Sequence, residues 1–543
     1  MGRFDMKKTI GIILSAVFAV LTLSSCSLSK AENSDTENSY DGGVFSRETI
    51  RILSGSENKE LSDILADCSK KTGVGIEMTY KGSVDIMNEL KSGAEDYDAV
   101  WPASSIWLSL GDDKHIIKHD ASISSSPVVF GIRRSLAESL GFTSGKVSVN
   151  DILDAVDSGK LSFCMTSATQ SNSGASAYIG FLYALTGKTS ALTSADLDSP
   201  KLKESISSLF SGIDRSSGSS DWLKDMFLSG SYDAMVNYEC LLIAANKELV
   251  SQGKEPLYAV YPYDGLTVAD SPLAYADHGD KNKEDAFLKV QEYLLSDDAQ
   301  EKIRRTGRRT GFTDDYSQYP DVFNADWGID TEKILSPITM PSEETLMKAL
   351  NLYQTAFRKP SLNIYCLDFS GSMSGGGSTQ LIEAMSQILL PENAEKNLLQ
   401  AAEDEVNIVV VFDANVRAVY TAEGADGAAL EGLYNSISEE KPDGGTNMYA
   451  AAERGISEAL QNYNISDYCP AVILMTDGES RLDDREDFIA EYDSCGYDIP
   501  VFSIMFGNAD DSQLNELAEL TNARVFDGRS DLIGAFRSVK GYN

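Results

Sequence analysis

Hydrophobic and polar positions fall into two long alternating patterns. From Thr49 to about Gly311, short apolar runs exchange with stretches of helical spacing. "TIRILSGS", "GIEMTYKGS", "YDAVWPASS", "SPVVFGIRR", "KLSFCMTS", "DAMVNYE" and "PLYAVYPYDG" read as strands. "KELSDILADCSKKTG", "SVDIMNELKSG", "SGASAYIGFLYALTG" and "KEDAFLKVQEYLLSDDAQEKIRRTG" repeat their apolar residues at the spacing of one helix face. A second pattern begins at Leu362, after "FRKPS". There "LNIYCLDF", "VNIVVVF", "VRAVYT", "PAVILMTDG", "PVFSIMFG" and "ARVFDG" are strands, with helical stretches between most of them and "RSDLIGAFRSV" at the end. Strands alternating with helices predict an α/β fold with mostly parallel sheets. The near-continuous apolar character of the second set predicts a doubly wound parallel sheet covered on both faces.

The opening residues lie outside these patterns. Lys7 and Lys8 precede the apolar run "TIGIILSAVFAVLTL", which stops at "LSSC". A basic start, a short apolar core and a small-residue stop predict an export signal rather than a membrane span. "LSSC" resembles the bacterial lipobox, which implies cleavage after residue 25 and a lipid (palmitate-type) anchor on Cys26. Residues 26–48, rich in Ser, Asn, Asp and Glu, read as a disordered tether. The expected location is the extracytoplasmic face of a cell membrane, with contact through the anchor alone.

At 543 residues the chain exceeds one ordinary core, so several domains are expected. A formal charge of −37 excludes a nucleic-acid partner, whose phosphates need cationic neutralisation. Six cysteines follow Cys26 without a CxxC spacing, which argues against both a disulfide scaffold and thiolate metal ligation.

Candidate chemistry concentrates after residue 361. "DFSGS" places Asp368, Ser370 and Ser372 at the end of a strand, "PDGGTNMY" places Thr446 before a helix, and "MTDGES" places Asp477 at another strand end. In doubly wound sheets, ligands bind where such loops gather. A serine nucleophile needs a base, and residues 361–543 contain no histidine and no lysine in these loops. Two carboxylates and three hydroxyls instead suit a hard divalent ion, Mg²⁺ first, with Mn²⁺ or Ca²⁺ as alternatives. These three elements resemble the von Willebrand factor type A domain and its metal-ion-dependent adhesion site, over residues 361–543. The resemblance implies Asp368, Ser370, Ser372, Thr446 and Asp477 as direct or water-mediated ligands. It also implies a protein partner whose Asp or Glu completes the metal shell.

In the first pattern, hydroxyls and amides recur where strands end: Ser54, Ser56, Ser104, Ser105, Ser171, Asn172, Ser173 and Tyr238. Each is also a residue type that caps helices. Taken together with the order of elements, they resemble the bacterial extracellular solute-binding proteins, of the two-lobed type 2 architecture. The resemblance covers residues 49–345, with one lobe of 49–130 plus 275–345 and the other of 133–270. It implies a small polar or anionic solute in the cleft between them. Residues 346–360 read as a linker. "DDKHIIKHD", with His115 and His119, reads as a solvated edge, and "RRTGRR" as a helix end followed by a turn.

Both resemblances imply a non-enzymatic lipoprotein that binds a protein partner through its metal site, with a solute-binding-like module for sensing or recognition. The alternative is a substrate receptor of an ABC-type transporter, with the type A domain as a docking accessory. A metal-assisted hydrolase would need a positioned base beside the metal, and only Asp443 and Glu479 stand near enough in sequence to supply one.

Overall fold

The structure is a computed structural model. It describes residues 38–41, 48–311, 315–331, 338–396, 399–477, 480, 484–506, 511–529 and 532–542. The expected export signal, Cys26 and Glu479 lie outside the described residues. Three mixed or parallel sheets form, each wrapped by helices. No helix among the described residues is long and apolar enough to cross a membrane.

The first lobe holds six strands in the spatial order Asn38–Tyr40, Gly75–Lys81, Thr49–Gly55, Ala99–Trp101, Pro272–Ala276 and Ile117–Ser122. Ile50, Ile52, Ile76, Met78 and Trp101 fill its core together with Phe287 of the helix Lys281–Leu294. The first strand corrects the tether expected over 26–48. Asn38–Tyr40 pairs antiparallel with Ile76–Met78, and the Tyr40 carbonyl accepts a bond from Ser69 Oγ at 3.0 Å. A polar strand of this kind carries no periodicity to announce it.

The second lobe orders Leu257–Val260, Ser126–Arg133, Ala234–Tyr238, Phe163–Thr166 and Ile213–Ser217, with Val268–Ala269 also on Ser126–Arg133. Its core is aromatic, with Phe130, Phe163, Tyr178, Phe181 and Phe210 in mutual contact. Two segments join it that the sequence places elsewhere. Tyr316, Phe323 and Trp327, expected in the first lobe, pack against Phe227 and Met235 of the second. The expected linker continues the helix Glu343–Leu352 into one wide turn, Tyr353–Phe357. Tyr353 and Phe357 are buried against Tyr178 because two aromatic rings left in water would cost more than ordering the backbone.

The C-terminal sheet runs Val416–Glu423, Val406–Phe412, Ser361–Asp368, Cys469–Thr476, Val501–Met505 and Val525–Asp527. All neighbours are parallel except the edge strand Val416–Glu423. Alternate residues serve opposite faces. Tyr365 and Leu367 join Leu381, Leu433 and Phe536 on one side. Ile364 and Cys366 join Ile456, Phe488 and Leu517 on the other. Burial on both faces explains the unbroken apolar runs.

Contacts of the C-terminal domain reach both lobes. Arg215 of the second lobe is buried and donates to Asp498 Oδ2 at 2.8 Å and to the Asn522 carbonyl at 2.9 Å. Tyr232 OH donates to the same Asp498 oxygen at 3.0 Å. Arg524 lies over the Trp222 ring at 5.7 Å. Toward the first lobe, Arg537 pairs with Asp85 at 2.7 Å.

The two lobes touch through backbone. Val84 N donates to the Gln170 carbonyl at 3.1 Å, directly over Gly82. A Cβ at residue 82 would collide with that carbonyl oxygen, so closure requires glycine there. Gly82→Ala should therefore hold the lobes apart, at a cost of about 1–3 kcal/mol. Trp107 is 1% exposed between the lobes, so its emission should shift to longer wavelength and become quenchable by acrylamide in this variant. Unchanged emission and quenching would contradict this account of closure.

Candidate metal site and inter-lobe cleft

The strand Ser361–Asp368 delivers its last residue into the end of the C-terminal sheet, where Asp368 is fully buried. Its Oδ1 accepts a bond from Ser370 N at 2.7 Å, and its Oδ2 accepts one from Thr476 Oγ1 of the neighbouring strand. Ser370 Oγ lies 3.0 Å from Ser372 Oγ, and Ser372 Oγ donates to Asp477 Oδ1 at 2.8 Å. Four of the five residues expected as ligands thus form one continuous hydrogen-bonded chain. Thr446 makes no hydrogen bond to the other four among the described residues. Its loop is nonetheless tied alongside: Asp443 N donates to the Phe369 carbonyl at 2.8 Å, and Gly371 N to the Gly444 carbonyl at 3.0 Å. Gly444 has φ +75°, a turn conformation that favours glycine.

Burial is the main cause that pushes the Asp368 carboxyl up to about 6. Hydrogen bonds from Thr476 and Ser370 oppose it, and Asp477 adds to it. No Lys or Arg among the described residues forms an ion pair with Asp368. The site is therefore an oxygen-only donor set with two carboxylates, no cation of its own, and one edge open to solvent at Ser372. That composition fits a hard divalent ion. Among the described residues no three or more His, Cys, Asp and Glu side chains are placed to hold a metal ion together, and the donors here are mainly hydroxyls. His119 bonds Glu284 at 2.7 Å at a sheet edge, apart from any such group.

The inter-lobe cleft departs from expectation. Ser171, Ser173, Ser220 and Thr166 bond one another at 2.7–2.9 Å, so these hydroxyls are engaged within the second lobe. Asn172 Oδ1 accepts from Trp107 Nε1 across the cleft at 2.7 Å, while its Nδ2 donates to Tyr238 OH at 3.0 Å. Ser56 Oγ accepts from Ser219 Oγ of the opposite lobe at 2.9 Å. Ser54 serves Asn58, Ser104 caps its own helix, and Ser105 N bonds Asp270. The expected solute ligands thus do not converge on one space. Two of them, Asn172 and Ser56, bridge the lobes instead.

A cavity of about 20 Å³ remains between the lobes, room for about one water. Of the residues named from sequence, only Tyr238 lines it. Glu57, Asn58, Ser126 and Arg308 are the others that matter chemically. Arg308 is 2% exposed and donates to the Glu57 carbonyl, and Arg309 forks onto both oxygens of the buried Glu239 at 2.8 and 2.7 Å. The sequence reading gave both arginines to a helix end. The helix stops at Arg305, and the next two arginines turn inward to partners far away in sequence.

Residues 50–309 match the family profile of the bacterial extracellular solute-binding proteins, and residues 364–532 match that of the von Willebrand factor type A domain. No curated protein matches the chain by sequence. Among solved structures, it is similar to the substrate binding protein of an ABC transporter from Agrobacterium tumefaciens. That match has 10% identity and a TM-score of 0.43, covering 60% of this chain and 100% of the other. It is also similar to the sulfate-binding protein SubI from Mycobacterium tuberculosis, at 15% identity and a TM-score of 0.38, over 55% of this chain and 96% of that one. The periplasmic binding protein AfuA from Actinobacillus pleuropneumoniae matches at 13% and 0.39, over 56% and 94%. The chain thus carries a bacterial extracellular solute-binding domain followed by a von Willebrand factor type A domain.

Proposed function

We propose that this is a lipid-anchored surface protein, attached through Cys26, that grips a protein partner through its C-terminal domain. The observation that carries this reading is the hydrogen-bonded chain from Asp368 through Ser370 and Ser372 to Asp477, which has two carboxylates and no cation. Asp368, Ser370, Ser372, Thr446 and Asp477 would hold a divalent ion, Mg²⁺ in the first instance. The ion supplies a positive point on which a partner's Asp or Glu can dock. The chain's own residues set the conditions. Burial of Asp368 makes its unpaired charge costly, and the hydroxyls beside it can serve a cation without adding negative charge.

A second reading, delivery of a solute to a transporter, is favoured by the family match over residues 50–309. The closed cleft weighs against it. The lobes are fastened to each other by their own side chains, and Glu57 brings a carboxylate into the remaining space. The solute-binding module then acts as a rigid platform or recognition surface for the domain that follows.

Two measurements bear on these readings. Calorimetric titration of the full chain with MgCl₂ should show one binding site, and Asp477→Ala should weaken it at least about tenfold, equivalent to ~1.4 kcal/mol. Partner capture on the immobilised chain should likewise be lost in EDTA and in Asp477→Ala. Magnesium binding indifferent to that substitution would remove the basis of the proposal.

The second concerns Glu57, whose carboxyl is pushed by burial from an ordinary 4.5 up to about 7, against the opposing pull of its own backbone N–H and Arg308 and with a further push from Asp221. A carboxyl raised in the folded state stabilises the fold fully below about pH 4.5, and that stabilisation is lost as pH rises through 7. Between those limits stability should fall by about 3 kcal/mol on account of this group. Chemical denaturation across the window should show a shallower fall in Glu57→Gln. An equal fall would place the titrating group elsewhere.

A further inference from the structure

The candidate metal site stands on three loops, and one helix holds two of them without supplying a ligand. Ser480 follows Asp477 on the same loop and is 6% exposed; its Oγ accepts a bond from Met448 N at 2.7 Å. Met448 begins the helix Met448–Asn462, just after Thr446. Ser480 thus ties the loop of Asp477 to the loop of Thr446. Its own backbone is held on both sides by one side chain. Ser480 N donates to Gln513 Oε1 at 2.9 Å, and Gln513 Nε2 donates to the Ser480 carbonyl at 3.1 Å. A primary amide can serve both backbone groups of one residue, which neither an ionised carboxylate nor an ammonium can do.

Gln513 stands in the first turn of the helix Ser512–Leu520, whose Leu514, Leu517 and Ala518 pack into the core. At the far end, Thr521 Oγ1 donates to the Leu517 carbonyl at 2.9 Å and accepts from Val501 N at 3.1 Å. Asn522 follows with φ +48°, and its carbonyl is the one that the buried Arg215 of the second lobe binds at 2.9 Å. Nine helical residues, about 14 Å, therefore separate the contact with the metal-site loop from the contact with the solute-binding module. A short helix packed along its length moves as one body, so a shift at Asn522 is felt at Gln513.

We propose that the helix Ser512–Leu520 carries the position of the second lobe to the metal site, with Gln513 as the positioning residue. This role rests on the metal-site reading above and goes beyond it. Docking through Arg215 sets where the loops of Asp477 and Thr446 stand, and so sets the affinity for the ion. Arg215 has two partners, and they separate the effect from docking in general. The Asn522 carbonyl belongs to the turn that ends the helix, whereas Asp498, which Tyr232 also binds, lies ahead of the strand Val501–Met505.

The test joins magnesium titration of the full chain to amide hydrogen exchange in EDTA. Gln513→Met keeps the side-chain length and removes both bonds to Ser480, and should weaken magnesium binding about tenfold. Arg215→Met, at the other end, should weaken it about threefold, and the double variant no further than Gln513→Met alone. Arg215→Lys, which keeps a donor, should recover part of that loss. Tyr232→Phe cuts the docking surface at Asp498 but spares the helix end, so it should bind magnesium as the wild type does. In EDTA the Met448 amide should exchange faster in Gln513→Met and Arg215→Met, and at the wild-type rate in Tyr232→Phe. Thermal midpoints in EDTA check that each variant folds. If Asp477→Ala loses magnesium while Gln513→Met and Arg215→Met bind it unchanged, the helix has no such role and the metal site stands. Additive losses in the double variant, or an equal loss in Tyr232→Phe, would likewise overturn the proposal. A wild type that binds no magnesium would overturn the metal-site reading and this role with it.

Discussion

The bond from Val84 N to the Gln170 carbonyl, over the bare backbone of Gly82, sets how closely the two lobes approach. Other features of the first 310 residues depend on that distance. At this separation Trp107 reaches Asn172 and Ser219 reaches Ser56, and the cleft shrinks to a single-water space. Lys224 of the second lobe can also reach Glu60 of the first at 2.7 Å. The C-terminal domain spans the result, touching the first lobe at Asp85 and the second at Arg215. A binding protein's hinge motion would have to break polar contacts on both sides of this domain at once.

The two domains treat buried charge differently. Around Glu239 the fold supplies a full counter-charge, because Arg309 forks onto both carboxylate oxygens and Tyr261 adds a third donor. Around Asp368 it supplies only neutral donors. A buried carboxylate with a bidentate arginine is complete, whereas one held by hydroxyls retains a demand for positive charge. That contrast separates a structural acid from one suited to an ion.

Much of the fold was legible from apolar runs. "LNIYCLD" became Ser361–Asp368 and "VNIVVVF" became Val406–Phe412, buried on both faces as their composition requires. The strand-end loops carrying Asp368, Ser370, Ser372 and Asp477 were legible too, since a parallel sheet brings its carboxyl ends together whatever the sequence between them. Long-range partnership was not. Nothing in "IDRSS" shows that Arg215 meets Asp498, nearly three hundred residues later, and nothing in "RRTGRR" shows Arg309 meeting Glu239. The serines of "TQSNSGAS" misled for a related reason. A hydroxyl near a helix start is equally able to bind a solute or another hydroxyl, and only the packed structure decides.

The strand Pro272–Ala276 sits in the first lobe between Ala99–Trp101 and Ile117–Ser122, although the second lobe's strands intervene in the chain. The first sheet therefore lacks an interior member until some 150 residues beyond Ser122 have been made. The second lobe is in effect an insertion, whose own strands are all available earlier. As the polypeptide emerges in order, the sheet that begins first gains its last strand only after every strand of the second sheet has been made. Until then the edges of Ala99–Trp101 and Ile117–Ser122 stand open to foreign strands, so the chain's period of greatest exposure to misassembly falls midway through its synthesis.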